Sequence, residues 1–82
     1  MSIPLYVFVW GDTLGLVVLA PEAETVDDLV ARLARAAAPR VSPQGALRVL
    51  HRGRVLRGDS SLKEAGLVAL DRVDLLPEEH LG

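Results

Sequence analysis

The groups best suited to chemistry lie at the carboxyl end of the chain, which closes on two glutamates, a histidine, a leucine and a glycine: Glu78, Glu79, His80, Leu81 and Gly82. Because glycine has no Cβ, its carboxylate can pass through a narrow channel and be attacked with little steric hindrance. We expect residues 77–82 to form a flexible, acidic tail that presents the carboxyl terminus at Gly82. The four residues before Gly82 are then the part of the tail that a partner protein recognises.

Other kinds of reactive site are excluded or weakly indicated. The chain has no cysteine, which rules out disulfides, thiolate catalysis and cysteine-based metal sites. His51 and His80 are far apart in the sequence and lack the close spacing to a second ligand that metal sites use, so we expect no metal. Asp27 and Asp28 open a predicted helix, and the helix dipole accounts for them better than paired acid catalysis does. We therefore expect a protein that is not an enzyme and has no cofactor of its own.

Charge and hydropathy also exclude partner classes. The net charge of −2 gives no reason to expect nucleic acid or an anionic membrane. Four arginines alternate along one strand and turn without interleaved aromatic residues, which favours a solvated basic edge: Arg48, Arg52, Arg54 and Arg57. The apolar segment 3–10 lacks a basic leader and is too short to span a bilayer. We expect a cytoplasmic protein, and its eight arginines against one lysine are typical of a GC-rich bacterial genome.

The pattern of apolar and turn-forming residues predicts the order ββαββ, a short helical turn and a final β-strand. Strands are predicted at residues 5–10, 14–20, 47–51, 55–56 and 73–76. A helix begins after Thr25, a natural N-cap, and closes in the alanine run that ends at Pro39. A short turn over residues 62–65 follows Ser60 or Ser61. Pro77 ends the last strand, because proline has no N–H for the ladder.

This order predicts an α+β fold in which a mixed sheet of four to five strands wraps over one α-helix. A chain of 82 residues supports a single small core. Residues 1–76 are therefore expected to form one domain, followed by the tail at 77–82.

Alternation along the predicted strands places two leucines on the outer face of the sheet. If Val49 and Leu75 point at the helix, Leu50 and Leu76 point to solvent. The residues that rim this pair are basic: Arg48, His51, Arg52 and Arg54. An apolar centre with an arginine rim is typical of a modest protein interface, although scattered exposed leucines are also normal on protein surfaces.

The first hairpin carries a second apolar face. With Tyr6 and Phe8 pointing inward, the outward side chains are those of its valines and one leucine, Val7, Val9, Val17 and Leu19. A sheet that is apolar on both faces needs a cover. That cover is a partner protein, a helix or a second copy of the chain, so a homodimer through the outer sheet face is one expectation.

The chain resembles the ubiquitin-like β-grasp family. The features that carry the resemblance are the first hairpin with its glycine turn, Thr25-Val26 at the start of the helix, Leu-Arg-Val-Leu at residues 47–50, the Arg52-Gly53-Arg54 turn, and the Ser61-Leu62 turn that leads to Leu67. The resemblance continues through residues 71–76 into a tail of six residues that ends at Gly82. It covers nearly the whole chain, and it implies the ubiquitin-like β-grasp fold.

The resemblance also implies a covalent protein modifier. In such a protein the Gly82 carboxylate is adenylated by an activating (E1-like) enzyme, passed to a conjugating (E2-like) enzyme as a thioester, and joined to a target amine by an isopeptide bond. The activating enzyme uses ATP and magnesium, and a peptidase can reverse the bond. By the same resemblance, Leu50 and Leu76 occupy the recognition patch. Lys63, the only lysine, or the amino terminus is the acceptor in any chain of modifiers.

Two departures keep alternatives open. The usual Gly-Gly ending is Leu81-Gly82 here, and the tail is acidic where that of ubiquitin is basic, so ordinary ubiquitin enzymes should reject it. One alternative is a noncovalent adaptor of the secretion type, which binds through the Leu50 and Leu76 face. The other is a sulfur carrier that forms a thiocarboxylate on Gly82. The Arg52-Gly53-Arg54 and Ser61-Leu62 turns favour the ubiquitin branch over the sulfur carriers.

Overall fold

Five strands and one helix are the regular elements of the computed structural model, which describes residues 1–12, 15–38 and 45–81. Their bounds are β1 Ser2–Val9, β2 Gly15–Pro21, α1 Val26–Ala37, β3 Leu47–His51, β4 Arg54–Val55 and β5 Arg72–Pro77, followed by a 3₁₀ turn at Glu78–His80. The strands form one sheet in the order β2-β1-β5-β3-β4. β1 and β5 are parallel and the other neighbours are antiparallel, so the predicted mixed sheet with one helix is confirmed.

Helix α1 begins where the sequence predicts. The Thr25 hydroxyl accepts a hydrogen bond from the N–H of Asp28 at 3.2 Å, which satisfies one of the free donors of the first turn. Asp27 and Asp28 lie in that turn and Arg35 in the last, as the helix dipole favours. The described part of the chain contains no helix long and apolar enough to span a bilayer.

The core lies between α1 and one face of the sheet. The helix contributes Val26, Leu29, Leu33 and Ala37, and the central strands contribute Leu5, Val7, Val9, Val49, Val73 and Leu75, all nearly or fully buried. Burying an aliphatic side chain of this size stabilises the fold by about 1.5–3 kcal/mol. The aliphatic layer therefore sets which face of each strand points inward.

The predicted orientation of β1 is wrong. Val7 and Val9 are buried against the helix, whereas Tyr6 is 44% exposed on the outer face and Phe8 is partly exposed there. Both sets of alternating side chains are apolar, so the period of two does not by itself decide which set is buried. The inner layer takes the aliphatic set, and the Tyr6 hydroxyl stays at the surface, where water can reach it.

The segment after β4 is held on the junction between β2 and α1. Ser61 and Glu64 form a reciprocal cap, in which the Ser61 N–H donates to the Glu64 carboxylate at 2.9 Å and the Glu64 N–H donates to the Ser61 hydroxyl at 3.1 Å. The bond from the Ser61 N–H lowers the pKa of Glu64. The N–H groups of Leu62 and Lys63 donate to the carbonyls of residues 24 and 22. The predicted turn is therefore found, with Ser61 as its cap.

Candidate interaction surface and carboxyl-terminal segment

The folded body extends beyond the predicted domain end at residue 76. Pro77 is buried as the last residue of β5, opposite Leu47 of β3. The Leu75 carbonyl accepts a hydrogen bond from the N–H of Trp10, so the backbone groups of Leu75 face the β1 side. Because backbone direction alternates along a strand, the nitrogen of Pro77, two residues later, faces the same side. β1 ends at Val9 and has no residue there to pair with it. No ladder bond is lost there, and the strand therefore includes the proline that was expected to end it.

The segment after Pro77 contacts the body in three ways. The Glu78 N–H donates to the carbonyl of Ala46 at 2.8 Å, and the Glu78 carboxylate lies 3.6 Å from the Arg48 guanidinium. The His80 ring stacks on the ring of Trp10, with centroids 4.3 Å apart and an interplanar angle of 22°. Glu79 is exposed and lies 3.7 Å from His80.

Of the last two residues of the predicted tail, the structure describes only Leu81. Leu81 is half-buried, and its N–H donates to the carbonyl of Glu78 at 3.1 Å. Gly82, the predicted reactive residue, lies outside the described residues. The flexibility of the tail and the role of Gly82 stay predictions.

The predicted leucine patch lies on the outer face, but it is not the exposed surface that was expected. Leu50 is half-buried and Leu76 is only 9% exposed. The two leucines share a groove of about 370 Å³ with Phe8 and Trp10. The expectation of an exposed Leu76 is wrong, because Trp10, whose N–H donates to the carbonyl of Leu75, lines the same groove, and Arg48 lies opposite Leu76 on β3.

The basic rim of that patch is largely neutralised within the chain. Arg48 pairs with Glu78, and Arg52 lies 3.4 Å from Asp71. His51 was expected on the rim but is buried, because it points inward from β3 and its Nε2 lies 3.0 Å from the Asp71 carboxylate. Among the residues that the structure describes, only Arg54 of this rim is exposed and without an ion pair.

Asp71 organises the loop before β5. Its carboxylate accepts hydrogen bonds from the N–H of Val68 at 3.0 Å and from Arg52, and it contacts His51. The bond from Val68 lowers the pKa of Asp71 below its ordinary value of 3.8, burial works in the opposite direction, and His51 lowers the pKa further. The loop is thereby held in one conformation beside β1.

The same loop presents a leucine in an unusual backbone conformation. Leu70 has φ of 69°, in the left-handed region that residues with a Cβ rarely adopt, and its side chain is 60% exposed. Its N–H donates to the carbonyl of Pro4 at 2.7 Å, which fixes it next to β1.

An exposed apolar surface covers the outer side of the β1–β2 hairpin. Tyr6 pairs with Val17, and Pro4 pairs with Leu19. Val17 is 67% exposed and Leu19 64% exposed, as the sequence predicts. We define the hairpin face as Tyr6, Val17 and Leu19 together with the adjoining Leu70. Sequence reasoning missed Tyr6 because it reversed β1, and it missed Leu70 although the apolar run Leu67-Val68-Ala69-Leu70 near a predicted strand was a signal.

The charges beside this face are paired internally. Arg72 lies 3.1 Å from Asp74 and sits over the Phe8 ring, with its guanidinium carbon 4.1 Å from the ring centroid. Arg32 of α1 contacts the Glu24 carboxylate at 2.9 Å. The hairpin face therefore offers a partner apolar surface without an unpaired charge among its described neighbours.

Two other predictions concern single groups. Lys63, the predicted acceptor, is exposed; its N–H donates to the carbonyl of Glu22, and its carbonyl accepts from the N–H of Gly66. Within residues 1–12, 15–38 and 45–81 there is no group of three or more histidine, aspartate or glutamate side chains placed to hold a metal ion.

Comparison with known proteins identifies the fold. No protein-family model and no curated protein matches the sequence. A chain from the toluene 4-monooxygenase HD complex with the inhibitor 4-bromobenzoate is 22% identical, with 95% of this chain and 100% of that chain covered and a TM-score of 0.87. Ubiquitin of Caldiarchaeum subterraneum is 18% identical, with 95% of both chains covered and a TM-score of 0.75.

The ubiquitin-like (UBL) domain of Plasmodium falciparum Dsk2 is also similar. It is 24% identical, with 93% of this chain and 97% of that chain covered and a TM-score of 0.77. The strand order, the parallel pairing of β1 with β5 and the single helix of the described residues agree with these neighbours. The chain therefore has the ubiquitin-like β-grasp fold.

Proposed function

We propose that this ubiquitin-like protein is a noncovalent, non-catalytic component of a larger protein assembly, and that it docks through its hairpin face. The observation that carries the proposal is the exposure of Tyr6, Val17 and Leu19 along the β1–β2 hairpin, with the exposed Leu70 held beside β1 by its N–H bond to Pro4. Monomeric proteins rarely expose contiguous apolar patches larger than a few hundred Å², and those that occur are often interaction sites. The expected partner is a protein subunit with a complementary apolar surface, since permanent interfaces resemble a core cut in half.

Leu70 supports this choice of surface. The left-handed conformation costs a residue with a Cβ about 1–2 kcal/mol, and glycine or asparagine would adopt it with less strain. Leu70 is mostly exposed in that conformation, so within the chain itself its side chain gains little from burial. Strained residues cluster at functional sites. A partner that buries this leucine would regain about 1.5–3 kcal/mol.

One structural neighbour supports the class of partner. The chain from the toluene 4-monooxygenase complex matches over its full length, so a chain of this size and fold occurs as a component of an enzyme complex. We infer a similar role here, as a non-catalytic chain bound to a larger subunit.

The covalent modifier is the second candidate, and the similarity to archaeal ubiquitin favours it. Conjugation would require the segment after Pro77 to leave the body. The Glu78 bond to Ala46 and the stack of His80 on Trp10 would then be broken. Each contact contributes on the order of 1 kcal/mol, which an activating enzyme could offset by binding the released segment. A sulfur carrier would need the same release of the tail.

Covalent and noncovalent attachment are distinguished by purifying the tagged chain from its own host under native and then denaturing conditions. We expect partners to co-purify under native conditions and to be lost in denaturant. Deletion of Gly82 should leave them bound. The modifier hypothesis predicts the opposite: protein adducts that survive denaturant and disappear with Gly82. A chain recovered with sulfur in place of a terminal oxygen, seen by intact mass, would indicate the sulfur carrier.

A further inference from the structure

We propose that two copies of this chain associate by antiparallel pairing of their β2 strands, with Val17 of each copy on the two-fold axis. This pairing would join the two five-stranded sheets edge to edge. It goes beyond the proposed docking role and does not depend on it, because pairing uses backbone groups of β2, whereas docking uses side chains of the hairpin face, two of which, Val17 and Leu19, belong to the same strand.

The direction of the backbone groups shows which residues of β2 face outward at the end of the described sheet. The Tyr6 N–H donates to Asp71 beside β5, so even-numbered residues of β1 face β5 and odd-numbered ones face β2. Since Leu5 pairs with Val18, the even-numbered residues of β2 bond to β1. The odd-numbered residues Gly15, Val17 and Leu19 therefore point their N–H and C=O groups away from the sheet.

Little else contacts this row of groups. The Arg32 guanidinium donates to the Leu19 carbonyl at 3.4 Å, and no other described residue bonds to the outward groups of Gly15, Val17 or Leu19. A carbonyl oxygen has two lone pairs, so the Leu19 carbonyl can still accept a bond from a second strand.

β2 also lacks the features that normally prevent edge pairing. Edge strands are usually short or carry charged residues or proline along their length. Residues 15–20 include none of these, and the only proline, Pro21, is the last residue of the strand. The opposite edge, β4, has two residues and includes Arg54. The two edges of one sheet thus differ, and β2 is the one suited to pairing.

A second copy is the occupant that these observations favour. Antiparallel pairing about Val17 places Val17 opposite Val17 and Gly15 opposite Leu19, so outward groups meet outward groups along the strand. About six ladder bonds can form in this register. No charge of β2 is buried, because the strand has none, and Arg32 is already paired with Glu24.

The size of the contact predicts a weak dimer. Stable interfaces bury about 1,600 Å² in total, and one strand edge buries less, so the dimer should dissociate on dilution. On the outer side, the hairpin faces of the two copies would become continuous, since the two Val17 side chains are direct cross-strand neighbours.

Sedimentation velocity of the full chain tests the proposal, from about 10 μM to about 1 mM, a range that brackets weak association. We expect the apparent mass to rise from 8.8 kDa toward twice that value. Val17→Lys and Val17→Glu should each remain monomeric, because like charges then face each other across the axis. An equimolar mixture of the two variants should dimerise again. Val55→Lys on β4 is the matched control and should dimerise like the wild type.

Val17→Pro gives an independent check, because it removes an outward N–H without removing a bond to β1. It should raise the dissociation constant at least tenfold while far-ultraviolet circular dichroism is unchanged. A wild-type chain that stays monomeric up to about 1 mM would overturn the proposal. So would Lys and Glu variants that dimerise as the wild type does, or a mixture of them that stays monomeric. If the natural occupant of the β2 edge is a strand of another protein, the purified wild-type chain should stay monomeric, which is the first of these results.

Discussion

At the scale of single residues, the two apolar surfaces on the outer face of the sheet, the leucine patch and the hairpin face, differ in how far their side chains are buried. Leu76 is nearly buried between neighbouring strands, whereas Leu19 is mostly exposed. Exposed side chains contribute little to folding and are available to a partner, so the hairpin face is the better candidate for docking. This reverses the expectation from sequence, in which Leu50 and Leu76 formed the main patch.

We expect Leu76→Ala to lower the free energy of unfolding by about 2 kcal/mol or more, because it leaves a cavity in packed surroundings. Leu19→Ala is the matched control and should change it by about 0.5 kcal/mol or less. Urea unfolding of both variants measures the difference. Equal and small effects would mean that Leu76 is a surface residue after all.

Asp71 links stability to pH. Its pKa is lowered in the folded state, first by the Val68 N–H and then by His51, so its ionised form stabilises the fold. That contribution is complete above the ordinary pKa of 3.8 and is lost as the pH falls through the lower folded value. We expect Asp71→Asn to lower the free energy of unfolding by about 1–3 kcal/mol at neutral pH. The difference from the wild type should become smaller below about pH 4.

Urea unfolding at pH 7 and at pH 3 measures both effects. Asp74→Asn is the control, because Asp74 forms a more exposed pair with Arg72, and exposed pairs contribute little. If the free energies of unfolding of Asp71→Asn and the wild type differ by the same amount at both pH values, the charge of Asp71 does not have the role given to it.

At the scale of elements, features that depend on neighbouring residues in the sequence were predicted correctly, whereas features that depend on distant residues were not. Thr25 and the strand Leu47–His51 were predicted where the structure has them, because a cap and a short, largely apolar run are local patterns. The orientation of β1 depends on which side chains fill the layer against α1, and its own sequence is apolar on both faces. The end of β5 depends on where β1 stops, which its own residues do not encode.

The segment Glu78–His80 was predicted as part of a tail, and its contact with β1 was not foreseen. The tail pattern identified the residues, but the stack of His80 on Trp10 joins residues seventy positions apart. No spacing rule relates such positions. The sequence could therefore name these side chains as candidates without predicting that they lie on the body.

The stack can be measured directly, because Trp10 is the only tryptophan. We expect His80→Ala to change the intensity of Trp10 fluorescence and to speed hydrogen exchange at the Glu78 amide, which bonds to Ala46. Glu79→Ala is the matched control, since Glu79 is exposed and does not contact Trp10. Unchanged emission and exchange in His80→Ala would contradict the stack of His80 on Trp10.

At the scale of the whole molecule, the fold itself does not specify what the protein does. Chains of similar structure occur in a ubiquitin, in the UBL domain of Dsk2 and in a toluene 4-monooxygenase complex. Function has to be argued from the surface. The hairpin face and the β2 edge share Val17 and Leu19, whereas Leu70 belongs to the hairpin face alone and His80 to the segment after β5. Variants of Leu70 therefore test docking apart from strand pairing, and variants of His80 test the carboxyl-terminal segment.

The proposed function rests most directly on Leu70 and the hairpin face. Isothermal titration of the purified partner against wild-type chain, Leu70→Asp and the control Val55→Asp tests that surface. We expect Leu70→Asp to weaken binding at least tenfold, which is about 1.4 kcal/mol, and Val55→Asp to bind like the wild type. Wild-type affinity in Leu70→Asp would contradict the account.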